Sequence, residues 1–193
     1  MLNRTRLAPF IAIPSVAFSL VFSLLWFAPA PAAAQQERNF AKADRDCASD
    51  IAGGCLTLGH IYNEGDGVDA DIARANDYFL KACELGEPAG CAHFGHHLDK
   101  GVGTKKDAAR AVKYFESSCE GGYSWSCYRL YGHYVSDANP DRDGVVALDY
   151  LGRSCDAGMM VSCDTLGRHL EHGDILAQDL ARANELYKKG CDG

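Results

Sequence analysis

Apolar residues recur along this chain with the period of a helix, and they do so in units of 36 residues. In each unit, positions zero, three, four and seven after a cysteine are apolar or small, and these offsets mark one face of a helix. Offset three holds Leu58, Phe94, Leu130 and Leu166. Offset four holds Gly59, Gly95 and Gly167, with Tyr131 as the exception. A glycine on a buried helical face predicts close approach of a neighbouring helix.

A second helical segment follows within each unit. It carries the recurring Ala75, Ala111, Ala147 and Ala183. Aspartates precede these alanines by four positions and are plausible N-caps, at Asp71, Asp107, Asp143 and Asp179. Glycines at the other end suit a helix C-cap, at Gly86, Gly122 and Gly158. Gly65-Asp66-Gly67 and Gly101-Val102-Gly103 mark the turn inside the first two units, so each unit is predicted to be a helix hairpin.

Cysteines fix the register of the repeat. One series holds Cys47, Cys83, Cys119, Cys155 and Cys191. The second series holds Cys55, Cys91, Cys127 and Cys163. Both series have the 36-residue period, and within each pair the offset is eight residues. The sequence therefore predicts an all-α solenoid of stacked hairpins, whose core forms between neighbouring units.

The predicted organisation has three parts. Residues 1–34 read as a cleaved signal peptide: Arg4 and Arg6 precede an almost wholly apolar stretch over 10–30, and Ala32-Ala33-Ala34 offers an A-x-A cleavage site. The alternative is an uncleaved membrane anchor. Residues 35–51 should form an N-terminal capping helix. Four hairpins are predicted, at about 52–86, 88–122, 124–158 and 160–191.

Composition narrows the class of partner. With 47% apolar and 23% charged residues the chain is expected to fold. The formal net charge of −7 makes nucleic acid and anionic membranes poor partners. An exported location, periplasmic or secreted, follows from the signal peptide, and we expect no stable membrane insertion after its removal.

Residues 58–68 carry a family resemblance. They read Leu-Gly-His-Ile-Tyr-Asn-Glu-Gly-Asp-Gly-Val, with Asp71 and Ala75 following. This pattern resembles the Sel-one-like repeat, a relative of the tetratricopeptide repeat, and the cysteine pair resembles its secreted cysteine-rich branch, the Hcp-like proteins. The likeness covers about residues 39–193. The third unit departs from it, with Asp137-Ala138-Asn139-Pro140 in place of the Gly-x-Gly turn.

The resemblance implies a right-handed α/α solenoid that acts as an adaptor or scaffold and recognises a protein or peptide along its concave face. Some members of the branch carry a β-lactamase or penicillin-binding label, which is the alternative function. The sequence gives that alternative little support, because the β-lactamase motifs S-x-x-K, S-D-N and K-T-G are all missing. We predict no catalytic residue and no cofactor, because no phosphate-binding Gly-rich loop occurs either.

In an oxidising compartment the paired cysteines should be disulfides. The predicted bridges are Cys47–Cys55, Cys83–Cys91, Cys119–Cys127 and Cys155–Cys163. The alternative is that the cysteine pairs bind zinc, but cysteine pairs that bind zinc are usually spaced two to four residues apart. Cys191 is left over, because its mate would fall at position 199. It is expected to be an exposed thiol, either a vestige without a role or the link of a tail-to-tail dimer.

Offsets two, six and nine form a second stripe on each first helix. The candidate partner-binding residues lie on this stripe: His93, His97, Lys100, Arg129, His133, His169 and His172. Because it is mildly basic in an acidic chain, the matching ligand would be an extended segment of acidic character. The alternative is a solvated face on which histidine is tolerated.

A metal site is a more specific interpretation of the same histidines. His93 and His97 lie four apart on one side of a helix, and His133 lies one repeat further along. Three imidazoles could bind Zn²⁺. No Glu completes an H-E-x-x-H motif, so our prediction is that the stripe holds no metal and binds a partner.

Overall fold

The computed structural model describes residues 31–191. In that range it contains nine α-helices and no strand: α1 (Pro31–Ala48), α2 (Ala52–Glu64), α3 (Ile72–Glu84), α4 (Pro88–Lys100), α5 (Ala108–Glu120), α6 (Ser124–Val135), α7 (Gly144–Asp156), α8 (Met160–His172) and α9 (Leu180–Cys191). Contacts group the chain into residues 1–35 and 36–193, and the repeats lie in the second group. Most of the proposed signal peptide, residues 1–30, lies outside the described residues.

From α2 to α9, successive helices pack against each other in the order of the sequence. The hairpins are α2–α3, α4–α5, α6–α7 and α8–α9, and α1 packs ahead of the first. The predicted fold class, an all-α solenoid of helix hairpins cross-linked by disulfides, is confirmed. No helix within residues 31–191 combines the length and the apolar character that a membrane crossing requires.

The predicted caps explain where the second helices begin and end. Their predicted C-terminal glycines lie one residue past the C-cap and have φ of 86–92°: Gly86, Gly122 and Gly158. The carboxylates of Asp71, Asp107, Asp143 and Asp179 accept hydrogen bonds from backbone N–H groups in the first turn of α3, α5, α7 and α9. Helices α2, α4 and α8 end on glycines in the left-handed region, with φ of 68–73°. In the third unit α6 ends instead on Ser136 with extended backbone, because no glycine is available there.

In three of the four hairpins a glycine on the first helix faces a large residue on the second. A Cβ added to Gly59 would lie 2.4 Å from the ring of Phe79, which is fully buried. Gly167 faces Tyr187 in the same way, at 2.7 Å. The close approach predicted from the glycines is therefore real, and its cause is an aromatic ring seated against the helix backbone.

The third unit reverses this size relation. Tyr131 stands where the other units have glycine, and the position equivalent to Phe79 holds the smaller Leu151, which is fully buried. Tyr131 packs against the same apolar cluster as Leu151. The exception seen in the sequence is thus matched by a smaller residue on the opposite helix, as close packing of a core requires.

Four disulfides join successive units. They link Cys47 to Cys55, Cys83 to Cys91, Cys119 to Cys127 and Cys155 to Cys163. The paired Cα atoms lie 4.5–4.8 Å apart, near the short end of the usual range. Each bridge ties the last turn of one helix to the first turns of the next.

Very small residues accompany the bridges, because the two backbones approach closely there. A Cβ added to Gly90 would lie 2.8 Å from both the Cβ of Ala82 and the backbone N of Cys83. Later units use serines at these positions: the Oγ atoms of Ser118 and Ser126 lie 2.8 Å apart, and Ser118 also donates to the carbonyl of Pro88. These buried hydroxyls are therefore satisfied by each other and by the backbone.

Candidate functional site

The structure separates the predicted stripe into three places. His93 and His97 lie in a cluster of rings between the first two hairpins. Lys100, Arg129 and His133 line a groove between the second and third hairpins. His169 and His172 lie on α8. The stripe is therefore not one continuous surface, and each part has its own chemistry.

The first part is a row of stacked rings carried by α2, α3 and α4. The rings of His60 and His93 meet edge to face with centroids 4.6 Å apart, and His93 stacks on Phe79 at 4.8 Å. His97 meets the edge of Phe79 at 5.7 Å. Aromatic side chains prefer such stacked and T-shaped arrangements, so the imidazoles here serve partly as core residues.

His97 was predicted to lie on the partner-binding face, but the structure places it in the core. It is only 7% exposed, and its Nδ1 lies 2.5 Å from Oδ1 of Asn76, a buried residue on α3. Asn76 in turn donates to the carbonyl of Val102. His97 thus anchors α4 to α3. If His97→Ala failed to bind a partner, damage to the fold would explain the result as well as a lost contact with the partner would.

Burial lowers the pKa of three histidines in and beside this row. Burial lowers the pKa of His93 to about 4, and the neighbouring His60, His97 and His96 lower it further by like-charge repulsion. The pKa of His97 is also lowered by burial and by His96. The pKa of His96 is lowered by burial and then by the charges of Arg129 and Lys100. Burial therefore favours the neutral forms of His93, His96 and His97.

This gives a prediction for pH dependence. The pKa of His93 is about 4 in the folded protein and about 6.5 in the unfolded chain. Its contribution to stability is therefore complete above pH 6.5 and is lost as the pH falls towards 4. Between pH 7.5 and 5 the loss from His93 should be about 1–2 kcal/mol, with discounting for solvent screening. Urea unfolding at both pH values measures it.

The matched control is His93→Thr, because threonine occupies the equivalent positions 57 and 165. This variant should lose the stacking on Phe79 at every pH, while its stability should change less than the wild type's between pH 7.5 and 5. Identical pH dependence in the two proteins would show that His93 does not titrate as described.

The second part is a groove of about 540 Å³ between the second and third hairpins. Its apolar wall comes from α5 and includes Ala108, Val112 and Phe115, and its polar rim carries Lys100, Arg129 and His133. We call it the inter-repeat groove. Its volume lies in the usual range for ligand sites, about 300–1,000 Å³.

Arg129 is held in place at this rim. Its Nη2 donates to Oδ2 of Asp99 at 2.9 Å, and its guanidinium lies 5.6 Å from the ring centroid of Trp125. Lys100 pairs with the same carboxylate oxygen at 3.0 Å. Burial alone would raise the pKa of Asp99, but the hydrogen bond and charge of Lys100 and the charge of Arg129 lower it overall. Two cations and one anion leave the rim with a net positive charge.

Two polar atoms beside the rim lack hydrogen-bond partners among the described residues. They are Nε of Arg129 and Nδ1 of His96, and both are buried. The ring of His96 lies 5.6 Å from that of Trp125, close to Arg129. A buried polar atom without a hydrogen-bond partner costs about 1–3 kcal/mol.

The third part contains residues that the sequence pattern missed. Nδ1 of His169 lies 3.0 Å from Oδ1 of Asp174, and its Nε2 lies 3.0 Å from the hydroxyl of Tyr131. The hydrogen bond from His169 lowers the pKa of Asp174. Tyr131 and His169 thus tie the third hairpin to the fourth, while His172 is exposed. The one signal in the sequence was Tyr131 itself, the exception at offset four.

The histidines do not converge on a metal centre in the part of the chain that the structure describes. No three side chains of the types that bind metals come together between residues 31 and 191. His97 is engaged by Asn76, and His133 packs against Tyr134, with centroids 5.0 Å apart.

Comparison with known proteins identifies the repeats. The Sel1 repeat family matches residues 54–87, 88–123 and 165–193, which together exceed half of the chain. The third hairpin is not matched, in keeping with its altered turn and Tyr131. No curated protein matches the sequence.

Solved structures share the fold. A Sel1 repeat protein from Oxalobacter formigenes aligns with a TM-score of 0.72 at 23% identity, over 79% of this chain and 62% of that one. The protective antigen c5321 of uropathogenic Escherichia coli gives 0.70 at 24%, over 79% of this chain and 33% of the antigen. Cysteine-rich protein B of Helicobacter pylori gives 0.57 at 20%, over 72% of this chain and all of its own.

Proposed function

The chain belongs to the Sel1 repeat family, and we propose that it is an exported repeat protein that binds an acidic, extended segment of another protein in the inter-repeat groove. The observation that carries the proposal is the net positive rim of this groove in a chain of net charge −7. An acidic ligand is attracted to the groove and repelled by most of the remaining surface.

The geometry of Arg129 supports this role. A guanidinium whose position is already fixed loses little conformational freedom when a ligand carboxylate binds to it. Asp99 and the ring of Trp125 supply that fixation. Lys100 is half exposed and can turn towards a ligand. His93, His97, His169 and His172 lie outside this groove, so the proposal narrows the predicted stripe to Lys100, Arg129 and His133.

Charge reversal at the rim tests the proposal. A partner is first captured from the envelope of the producing cell with the oxidised protein, and its affinity is then measured by calorimetry. We expect Lys100→Glu to weaken binding at least tenfold, about 1.4 kcal/mol, because one attraction becomes a repulsion. Raising the salt concentration should weaken wild-type binding as well.

Lys113→Glu is the matched control. Lys113 is exposed on α5 outside the inter-repeat groove, and its reversal changes the net charge by the same amount. If both variants weakened binding equally, the effect would come from total charge. If Lys100→Glu bound as the wild type does, the groove would not be the binding site.

Export is part of the proposal and is supported by the apolar N-terminal pattern and by the four disulfides, which persist in oxidising compartments. We expect the native protein to begin at Gln35. An intact mass that includes residues 1–34 would contradict this. Nothing among the described residues favours the alternative function, β-lactam binding or hydrolysis.

Cys191 provides a test of assembly. It is exposed, and it is the one cysteine without a disulfide partner between residues 31 and 191. Non-reducing electrophoresis distinguishes the two alternatives: a dimer that disappears in Cys191→Ser would indicate that this thiol links two copies of the chain. A monomer with one titratable thiol would instead indicate a cysteine without a role in assembly.

A further inference from the structure

The inter-repeat groove owes part of its open space to a missing side chain. The repeat places His60, His96, Gly132 and Arg168 at equivalent positions of the four first helices. His60 packs against Phe79 and His96 against Trp125. A Cβ added to Gly132 would meet no atom within 4 Å. Gly132 lines the groove, so the third unit is open where the first two units have a ring.

Stability does not explain this glycine. A glycine inside a helix costs about 1 kcal/mol relative to alanine, and no neighbour would clash with a side chain at position 132. In contrast, Gly59 and Gly95 have an aromatic ring seated against them. Gly132 is thus the glycine of α6 that packing does not require, and it lies where the apolar wall meets the basic rim.

The wall beside this opening offers contacts to an apolar group. Ala108, Val112 and Phe115 line the groove with apolar side chains, and Pro140 lines it from the turn after α6. The basic rim stands directly beside them, because Arg129 and His133 lie on α6 on either side of Gly132 in sequence. A ligand that satisfied both parts would place an apolar side chain and a carboxylate within a residue or two of each other.

We propose that the inter-repeat groove recognises an extended peptide segment in which an aliphatic side chain adjoins an acidic residue, and that Gly132 is the residue that sets this specificity. The inference rests on the proposed function for the acidic half of the motif and adds the apolar half. The aliphatic side chain lies against the α5 wall in the space left open by Gly132, while the carboxylate pairs with Lys100 and Arg129.

Selection of random heptapeptides displayed on phage, against the oxidised protein, tests both halves. For the wild type we expect enriched peptides to carry Leu, Ile, Val or Met within two positions of Asp or Glu. Gly132→His, which introduces the residue of the first two units, should lose the aliphatic preference, keep the acidic one, and bind the best wild-type peptide at least tenfold more weakly. Gly132→Ala should retain both preferences.

The variants keep the two proposals distinguishable. Thermal unfolding should show Gly132→Ala and Gly132→His to be at least as stable as the wild type, so that altered binding reports on the groove. Acidic peptides without an aliphatic preference, or equal affinity in Gly132→His, would overturn the inference and leave the proposed function intact. A third outcome is that Gly132→His abolishes the binding of aliphatic peptides while Lys100→Glu leaves it unchanged. This would support the apolar half of the inter-repeat groove and overturn the proposal of an acidic partner.

Discussion

Reduction of the four disulfides is expected to unfold this protein at room temperature. Each bridge closes a loop of about nine residues, which corresponds to about 2.5 kcal/mol of stabilisation in the chain-entropy model. Four such bridges give on the order of 10 kcal/mol as an upper value, and the whole stability of a domain is only about 5–15 kcal/mol. Far-UV circular dichroism with and without a phosphine reductant should show loss of helix in the reduced sample.

Single bridges and the free thiol provide the controls. Replacing Cys155 and Cys163 together by serine should lower the free energy of unfolding by about 2.5 kcal/mol. Cys191→Ser should leave the stability unchanged, because this cysteine has no disulfide within the described residues and is exposed. A reduced protein that kept its helices and its unfolding midpoint would show that the solenoid core is sufficient alone.

Truncation of Phe79 should have the largest effect of any single substitution in the first two hairpins. Its ring is fully buried and touches Gly59, His60, His93 and His97. Phe79→Ala removes the ring from all of them, and the helix backbone at Gly59 cannot fill the space. We expect a loss of about 3–5 kcal/mol in urea unfolding.

Two variants show whether this loss comes from the cavity. Phe79→Leu introduces the residue found at the equivalent position 151 and should cost less, about 1–2 kcal/mol. Val145→Ala removes apolar atoms from a side chain that is 59% exposed and should change stability by less than about 0.5 kcal/mol. Equal losses in Phe79→Ala and Val145→Ala would contradict the packing described for the first hairpins.

The fold could be predicted because repetition multiplies weak signals. A single cysteine pair eight residues apart predicts little about the fold. The same pair recurs 36 residues later with equivalents of Leu58, Gly59 and Asp71 at the same distances, and this regularity identifies a structural repeat. The caps and the glycine contacts followed from local rules that depend on few neighbours. These are the features for which the sequence is a sufficient guide.

The site was less predictable because it depends on what differs between repeats. Offset six lies only about 60° from offset three on a helix of 3.6 residues per turn, so its exposure is decided by the neighbouring hairpin. At His97 that neighbour supplies Asn76 and Phe79, which bury it. The groove arises from Gly132 and the altered turn of the third unit, and neither belongs to the periodic pattern.

The pairing of small with large residues bears on how such a chain can be lengthened or shortened by recombination. Gly59 and Phe79, or Tyr131 and Leu151, lie twenty residues apart within one hairpin. Duplication or deletion of a whole 36-residue unit carries both members together and keeps the core filled. A crossover between the two helices of unlike units would instead join Tyr131 to a phenylalanine or leave a glycine facing Leu151. Viable length variants of this gene should therefore have their junctions between hairpins, near the cysteine pairs, and rarely inside them.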